Sequence, residues 1–398
     1  MKKSKTTYLF FIAITLLQLI NIAHAQKPVL YLINTDKVVA IKKDIKNNKE
    51  LAKNVNRLAK EADKLLSQNF GSVMDKKFVP PCGNMHEYMS WARYYWPDPS
   101  KPDGLPYIRK DGQKNPEIDL VSDDRNFNDI INAATSLSWA YYFTDDEKYA
   151  AKAIGLLRFW FLDTATRMLP NLNHAQMIKG IDTGRGTGII DTHELPKLLD
   201  AIGFLRLSKS WMVTDETGIK QWFAEYLNWM MTSKNGIKES QVTNNHKTFY
   251  ENQIASIALF VGKDDIAMKV FENAKKLIEH QIEADGKQPE ELSRTLSLWY
   301  STFNLQAWFS LAGIAEQKGV DLWNYQTADN RSLRKAFDYL LPYALNEKPW
   351  PHQQISEYKT SLYYALLIQA AEKYKDNSYK KAAEKIKSSN VLLDILYQ

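Results

Sequence analysis

The chain has 398 residues, 44% of them hydrophobic and 25% charged, which is an ordinary globular composition. Its net charge of +6 is too mild to argue for a nucleic-acid partner. Its single cysteine, Cys82, excludes both a disulfide framework and a metal site built on several cysteines.

The N-terminus reads as a targeting segment. Lys2, Lys3 and Lys5 form a basic start, and Tyr8 to Ile22 is mostly apolar. Ala23-His24-Ala25 matches a small-x-small cleavage site, so residues 1–25 are expected to be a signal peptide and Gln26 the first mature residue. Removing them takes away three lysines and no acid, so the net charge of +6 becomes +3. The mature protein is expected in the periplasm or outside the cell. No later stretch is apolar enough to span a membrane.

Residues 39–68 predict one amphipathic helix, with Ile41, Ile45, Leu51, Val55, Leu58, Ala62 and Leu65 near helical spacing. Residues 78–117 predict a long loop, because Pro80-Pro81, Trp96-Pro97-Asp98-Pro99 and Pro102-Asp103-Gly104 break any regular element. A short helix is expected inside it at residues 85–95. The loop carries His86, Tyr88, Trp91, Arg93, Tyr94, Tyr95, Trp96 and Arg109. Aromatic rings with arginines suit an anionic sugar chain, and they equally suit a loop that packs down on its own rings.

Beyond the loop, helical patterns recur in pairs: residues 126–143 with 148–161, 197–211 with 219–231, 249–261 with 264–282, 297–313 with 332–341, and 361–373 with 379–386. Short connections make each pair an antiparallel hairpin. The fold class is therefore all-α, as one domain over residues 26–398, with room only for isolated strand pairs in the loops.

Three stretches carry candidate chemistry. Gly184-Arg185-Gly186-Thr187-Gly188 is no dinucleotide fingerprint, since no strand-helix-strand unit surrounds it. Its glycines let the backbone turn tightly beside a ligand or another segment, and Arg185 can hold an anion. His193 follows, just ahead of a helix. Asn244-Asn245-His246 opens another helix, which reads either as an amide cap or as a site where an amide and an imidazole stand together. Arg294 and Tyr300 are six residues apart, about 240° around a helix, so they converge only if the backbone turns between them or Arg294 precedes the helix.

The run Tyr94-Tyr95-Trp96-Pro97-Asp98-Pro99, continuing through Leu105-Pro106-Tyr107-Ile108-Arg109, resembles the helical alginate lyases. So do the glycine triplet, Asn244-Asn245-His246, and Arg294 with Tyr300. The resemblance covers residues 74–308. It implies an incomplete (α/α) toroid with a deep groove across one end, and cleavage of uronate polysaccharides by β-elimination. It also assigns Tyr300 the role of acid.

Elimination removes the proton on C5 of a uronate, next to its carboxylate. That charge must first be neutralised by preorganised donors. Asn245 is the first candidate, assisted by Arg294 or His193. A base then takes the proton and an acid protonates O4 of the leaving sugar. In mannuronate both groups lie on one face, so Tyr300 could serve twice. In guluronate they lie on opposite faces, and His246 would be the base. Arg294 is expected to favour the Tyr300 phenolate. Candidate substrate contacts are Arg185, Tyr95, Trp96, Arg109, Tyr250 and His86. No cofactor is expected, since the histidines lack metal-ligand spacing. Rival readings are a hydrolase using Glu290, Glu291, Asp191 or Glu194, a lyase acting on glucuronan or a glycosaminoglycan, and a non-catalytic binder of acidic polysaccharide.

Overall fold

The computed structural model describes residues 27–397, so the expected leader and Gln26 lie outside the described residues. The chain opens with α1 (Thr35–Asp44) and α2 (Lys49–Leu66). A loop region follows, with β1 (Met89–Trp91), β2 (Tyr95–Trp96) and β3 (Ile108–Arg109). Then come α3 (Asp123–Thr144), α4 (Glu147–Leu157), β4 (His174–Met177), α5 (Leu195–Leu205), α6 (Val213–Thr232) and α7 (Lys234–Ser240). The second half contains α8 (Asn245–Val261), α9 (Asp264–Gln281), α10 (Pro289–Leu292), α11 (Ser297–Glu316) and α12 (Leu333–Ala344). It closes with α13 (Ser361–Lys373), α14 (Asn377–Lys385) and α15 (Val391–Leu396).

The helices form an incomplete (α/α) toroid. An inner row runs α3, α5, α8, α11, α13, each packed on the next. The hairpin partners α4, α9, α12 and α14 pack on α3, α8, α11 and α13 from outside, and α6 also lies on α8. Sequence explains who sits where. Residues 248–260 of α8 are all buried, including Gln253, Ser256 and Asn252, so this helix has no solvent face. By contrast α9 buries only one stripe, Ala267, Val270, Phe271, Ala274 and Ile278, and turns its lysines outward. One apolar core runs from Leu30 to Leu396.

Two expectations are corrected. Residues 39–68 are two helices, because Asn48 caps a fresh start by accepting from the Leu51 N–H at 3.0 Å. The helix expected at residues 85–95 is replaced by β1 and β2. There β1 pairs in parallel with the distant β4, and β2 pairs antiparallel with β3. Asp123 accepts from the Met89 N–H at 3.0 Å and holds β1 against the start of α3. These partners are remote in sequence, so local periodicity carries no trace of them.

The chain before α1 is fixed from inside the toroid. Asp200 on α5 is buried and accepts from the N–H groups of Tyr31, Leu32 and Ile33 at 2.5 to 3.2 Å. Gly203 makes room, because a Cβ there would meet the Val29 carbonyl oxygen at 2.2 Å. Burial pushes the Asp200 carboxyl up to about 7, against the pull of its three N–H donors. Its folded-state value lies above its unfolded one, so this group's contribution is fullest at acid pH and declines as pH rises from about 4 through 7. Asp200→Ala leaves three N–H groups without their acceptor and should cost about 3 kcal/mol in urea unfolding. Asp200→Asn should keep part of that stability and flatten its pH dependence over the same window.

Candidate active site

A cavity of about 410 Å3 opens at one end of the toroid. The loop around β2 and β3, the segment from β4 to α5, the start of α8, and the turn between α10 and α11 all line it.

At the start of α8 the Asn-Asn-His stretch both caps the helix and lines the cavity, through different residues. Asn244 is the cap, its side chain accepting from the His246 N–H at 3.1 Å. Asn245 and His246 face the cavity. His246 Nδ1 lies 2.7 Å from Oε1 of Glu239, which is 2% exposed. A carboxylate only accepts, so Nδ1 carries a hydrogen and the Nε2 lone pair is left for a proton. Glu239 comes from α7, a helix with no expectation in the sequence.

Asn245 is tied to a second buried acid. Glu291 on α10 accepts the Asn245 backbone N–H at Oε1 (2.6 Å) and the side-chain amide at Oε2 (2.7 Å). The i,i+3 spacing of Glu291 and Arg294 would suit a surface ion pair. Instead Glu291 is fully buried, and burial pushes its carboxyl up to about 7.

Arg294 lies after α10 and before α11, so the chain does turn between it and Tyr300. Asp111 fixes it, accepting from Nη2 at 2.7 Å and from Nε at 3.2 Å. The Thr295 N–H and hydroxyl bind the same carboxylate. Burial works against the Asp111 anion, but Arg294 and Thr295 outweigh it and hold its carboxyl well below the usual range. The guanidinium carbon then sits 3.7 Å from the centre of the Tyr300 ring. Tyr300 donates its hydroxyl to Tyr94 at 2.8 Å.

Arg294 acts on the Tyr300 phenol in the expected direction, but burial works against it. Burial raises the Tyr300 phenol well above its ordinary value, and the Arg294 charge offsets only part of that. The balance favours the neutral phenol.

His193 also lines the cavity, wedged edge-on between Phe249 and Phe303. Its Nδ1 meets the Ile190 carbonyl at 2.8 Å and its Nε2 meets Glu194 at 3.3 Å, so both nitrogens have partners. Arg185 is anchored on Gln176 and lies over the Tyr95 ring, with Arg109 nearby on the rim bound to Asp111. The glycines around Arg185 serve close packing: Gly184 has φ +148°, and a Cβ on Gly186 would meet the Asn235 carbonyl at 2.7 Å.

Three expected contacts are not brought to the cavity. Tyr250 is core, its hydroxyl donating to the Met230 carbonyl at 3.0 Å. Trp96 turns its indole N–H to the Gln113 carbonyl at 2.9 Å. His86 binds the Arg167 carbonyl at 2.6 Å. Helical phase puts Tyr250 on the side of α8 facing α6, and backbone acceptors turn the other two aside.

The sequence reading named Tyr94 only within the aromatic loop and missed Asp111, Asp124 and Glu239 as cavity residues, because none of these acids was distinguished from a surface carboxylate. Asp124 lines the cavity near Asp191, and burial first, then that neighbour, raises its carboxyl to about 6. The carboxylates offered for a hydrolase all have partners: Asp191, which lines the cavity, accepts from Ser90, Tyr88 and Gln176, Glu291 from Asn245 and Glu290 from Thr243, while Glu194 pairs with Lys197. Among the described residues no group of His, Cys, Asp and Glu is set to hold a metal ion. Nor is any described helix long and apolar enough to cross a membrane.

A toroid of helical hairpins with an amide, an imidazole, a guanidinium and a protonated phenol around one cavity is the architecture of a polysaccharide lyase. The alginate lyase family profile matches residues 72–350. An alginate lyase from Bacteroides ovatus is 37% identical over 93% of this chain and 99% of its own, with a TM-score of 0.88. Alginate lyase A1-III, as a variant complexed with a tetrasaccharide, shares the fold at 13% identity and a TM-score of 0.59, over 91% of this chain and 94% of its own. The Sphingomonas species A1 form of that enzyme gives 16% and 0.50, over 79% and 86%. No curated protein sequence matches the chain significantly. The chain belongs to the alginate lyase family and is a polysaccharide lyase.

Asp111 supports both the guanidinium and, through it, the phenol. Asp111→Ala should lower kcat/KM on a uronate polymer about 100-fold while circular dichroism stays unchanged, since a displacement near 1 Å is enough for that loss. Asp111→Asn should fall between the two.

Proposed function

We propose that this chain cleaves alginate by β-elimination, with Asn245 and Arg294 neutralising the uronate carboxylate and Tyr300 protonating the leaving O4. The observation that carries the residue roles is the Tyr300 hydroxyl in the same cavity as the His246 imidazole. A base and an acid are thereby available as separate groups, which suits guluronate, where the C5 proton and O4 lie on opposite faces. For mannuronate Tyr300 must first give up its proton, and burial opposes that step.

Glu239 supports a basic role for His246, since it fixes the hydrogen on the far nitrogen and would stabilise the imidazolium that forms. Arg185, Arg109 and Tyr95 are the proposed contacts to neighbouring sugars, where fixed cations balance uronate charge. His193, with both nitrogens engaged, is proposed to shape the cavity floor rather than to move protons. The basic and apolar start of the sequence, ending at Ala25, supports export to the periplasm or beyond.

The test is incubation of the purified protein with alginate, glucuronan and a glycosaminoglycan, following the ultraviolet absorbance of new conjugated double bonds. Alginate should give unsaturated ends. Reducing ends without that absorbance would mean hydrolysis, and no shortening of any polymer would mean binding alone. Tyr300→Phe should lower kcat at least about 1,000-fold with oligosaccharide binding retained. Retained turnover would remove Tyr300 from the mechanism.

A further inference from the structure

Asn245 is 1% exposed, lines the cavity and leaves its Oδ1 without a hydrogen-bond partner among the described residues. Its amide nitrogen meanwhile spends one hydrogen on Glu291 at 2.7 Å. This arrangement receives a uronate poorly. The incoming carboxylate, which only accepts, would find one amide hydrogen, an amide oxygen with unused lone pairs, and a second carboxylate on the other side of the same NH2 group. Two carboxylates around one donor do not both stay charged in a buried site.

One change repairs both defects. If Glu291 takes a proton, it gains an O–H that the orphaned Oδ1 can accept. The Asn245 amide then turns by half a revolution, Oδ1 toward Glu291 and NH2 toward the cavity. The Glu291 oxygen that accepts the Asn245 backbone N–H at 2.6 Å need not move, so the start of α8 stays where it is. We propose that Glu291 is the positioning residue for Asn245: it takes up one proton as an acidic sugar binds, and the amide turns its NH2 group onto the sugar carboxylate. This rests on the reading of Asn245 as the group that meets that carboxylate.

The surroundings favour an easy proton. Glu291 is 0% exposed, and its carboxyl already stands near 7, pushed up by burial against the Asn245 donors. The groups that act on it are the guanidinium of Arg294, which follows α10, and the imidazole of His246 on α8. Asp111 holds the first, so that cation is largely spent on another acid, and Glu239 accepts from the second. Glu290 is turned away toward the Thr243 hydroxyl at 3.4 Å. A uronate carboxylate arriving beside Asn245 adds a negative charge with no cation assigned to Glu291 alone. Protonation is the remaining way to relieve it.

The experiment is calorimetric titration of a defined mannuronate trisaccharide into Tyr300→Phe, which should bind without turnover. It is run near pH 8 in two buffers of different ionisation enthalpy. Uptake close to one proton per sugar bound is expected, with Kd weakening toward tenfold per pH unit above 7. Adding Glu291→Gln should bring uptake near zero and flatten Kd against pH. Gln still accepts the Asn245 N–H and donates its own NH2 to Oδ1, so it imitates the protonated acid. A merely structural role for Glu291 would move neither readout. Unchanged uptake with Glu291→Gln overturns the proposal, as does binding without uptake in Tyr300→Phe. Should the Gln variant fail to fold, adding His246→Gln to Tyr300→Phe removes the neighbouring imidazole. Uptake retained there supports Glu291, and uptake lost overturns it. If the wild type makes no unsaturated ends from alginate, the functional reading fails. If it does and the complex forms without uptake, this inference alone fails.

Discussion

Two hydrogen bonds from Asn245 to the buried Glu291 carboxylate hold the site in one piece. They join the first turn of α8 to the short α10, 46 residues later in the chain. An acid placed at a helix N-terminus satisfies an N–H that no helical carbonyl can reach and opposes the helix dipole. Here the same acid also sets the side chain that faces the cavity. Arg294 and Tyr300 follow directly from α10, so fixing that short helix fixes their distance from Asn245 and His246.

Each cavity-facing group is matched by an acid or phenol behind it. Glu239 stands behind His246, Glu291 behind Asn245, Asp111 behind Arg294, and Tyr94 receives the hydrogen of Tyr300. These supports come from α7, α10 and the loop beside β3, not from the element that bears the supported group. Side chains held from two directions lose little further freedom when a polymer binds, which is what preorganised electrostatics requires. The apparent waste of charge, with Glu239, Glu291 and Asp111 in a site for an anionic sugar, is the means of holding an imidazole, an amide and a guanidinium in place.

The (α/α) toroid makes this possible because α8, at the middle of its inner row, is buried on every side over residues 248–260. On α8 the polar residues Gln253, Asn252 and Thr248 bond within the ring, so the helix cannot rotate without breaking them. Its N-terminus is then a fixed platform. The long loop that carries Tyr94, Tyr95 and Arg109 adds the rim, pinned to the platform chiefly by the Asp111 bonds to Arg294 and Thr295.

The sequence alone determined the class of fold, because helical periodicity and short polar turns are local and recur through most of the chain. It also singled out Asn245, His246, Arg294 and Tyr300, which the structure brings to one cavity, since these sit in short stretches with their own character. Tertiary structure decided the rest. Whether Glu291 was a surface acid or a buried anchor depended on where α10 packs. Tyr250 and Asn245 are five residues apart on one helix, yet one is core and the other lines the cavity, because neighbouring helices choose the face. The protonation of Tyr300 turned on the balance between its burial and the Arg294 charge, and that balance exists only once residues far apart in the chain have been brought to within a few ångströms.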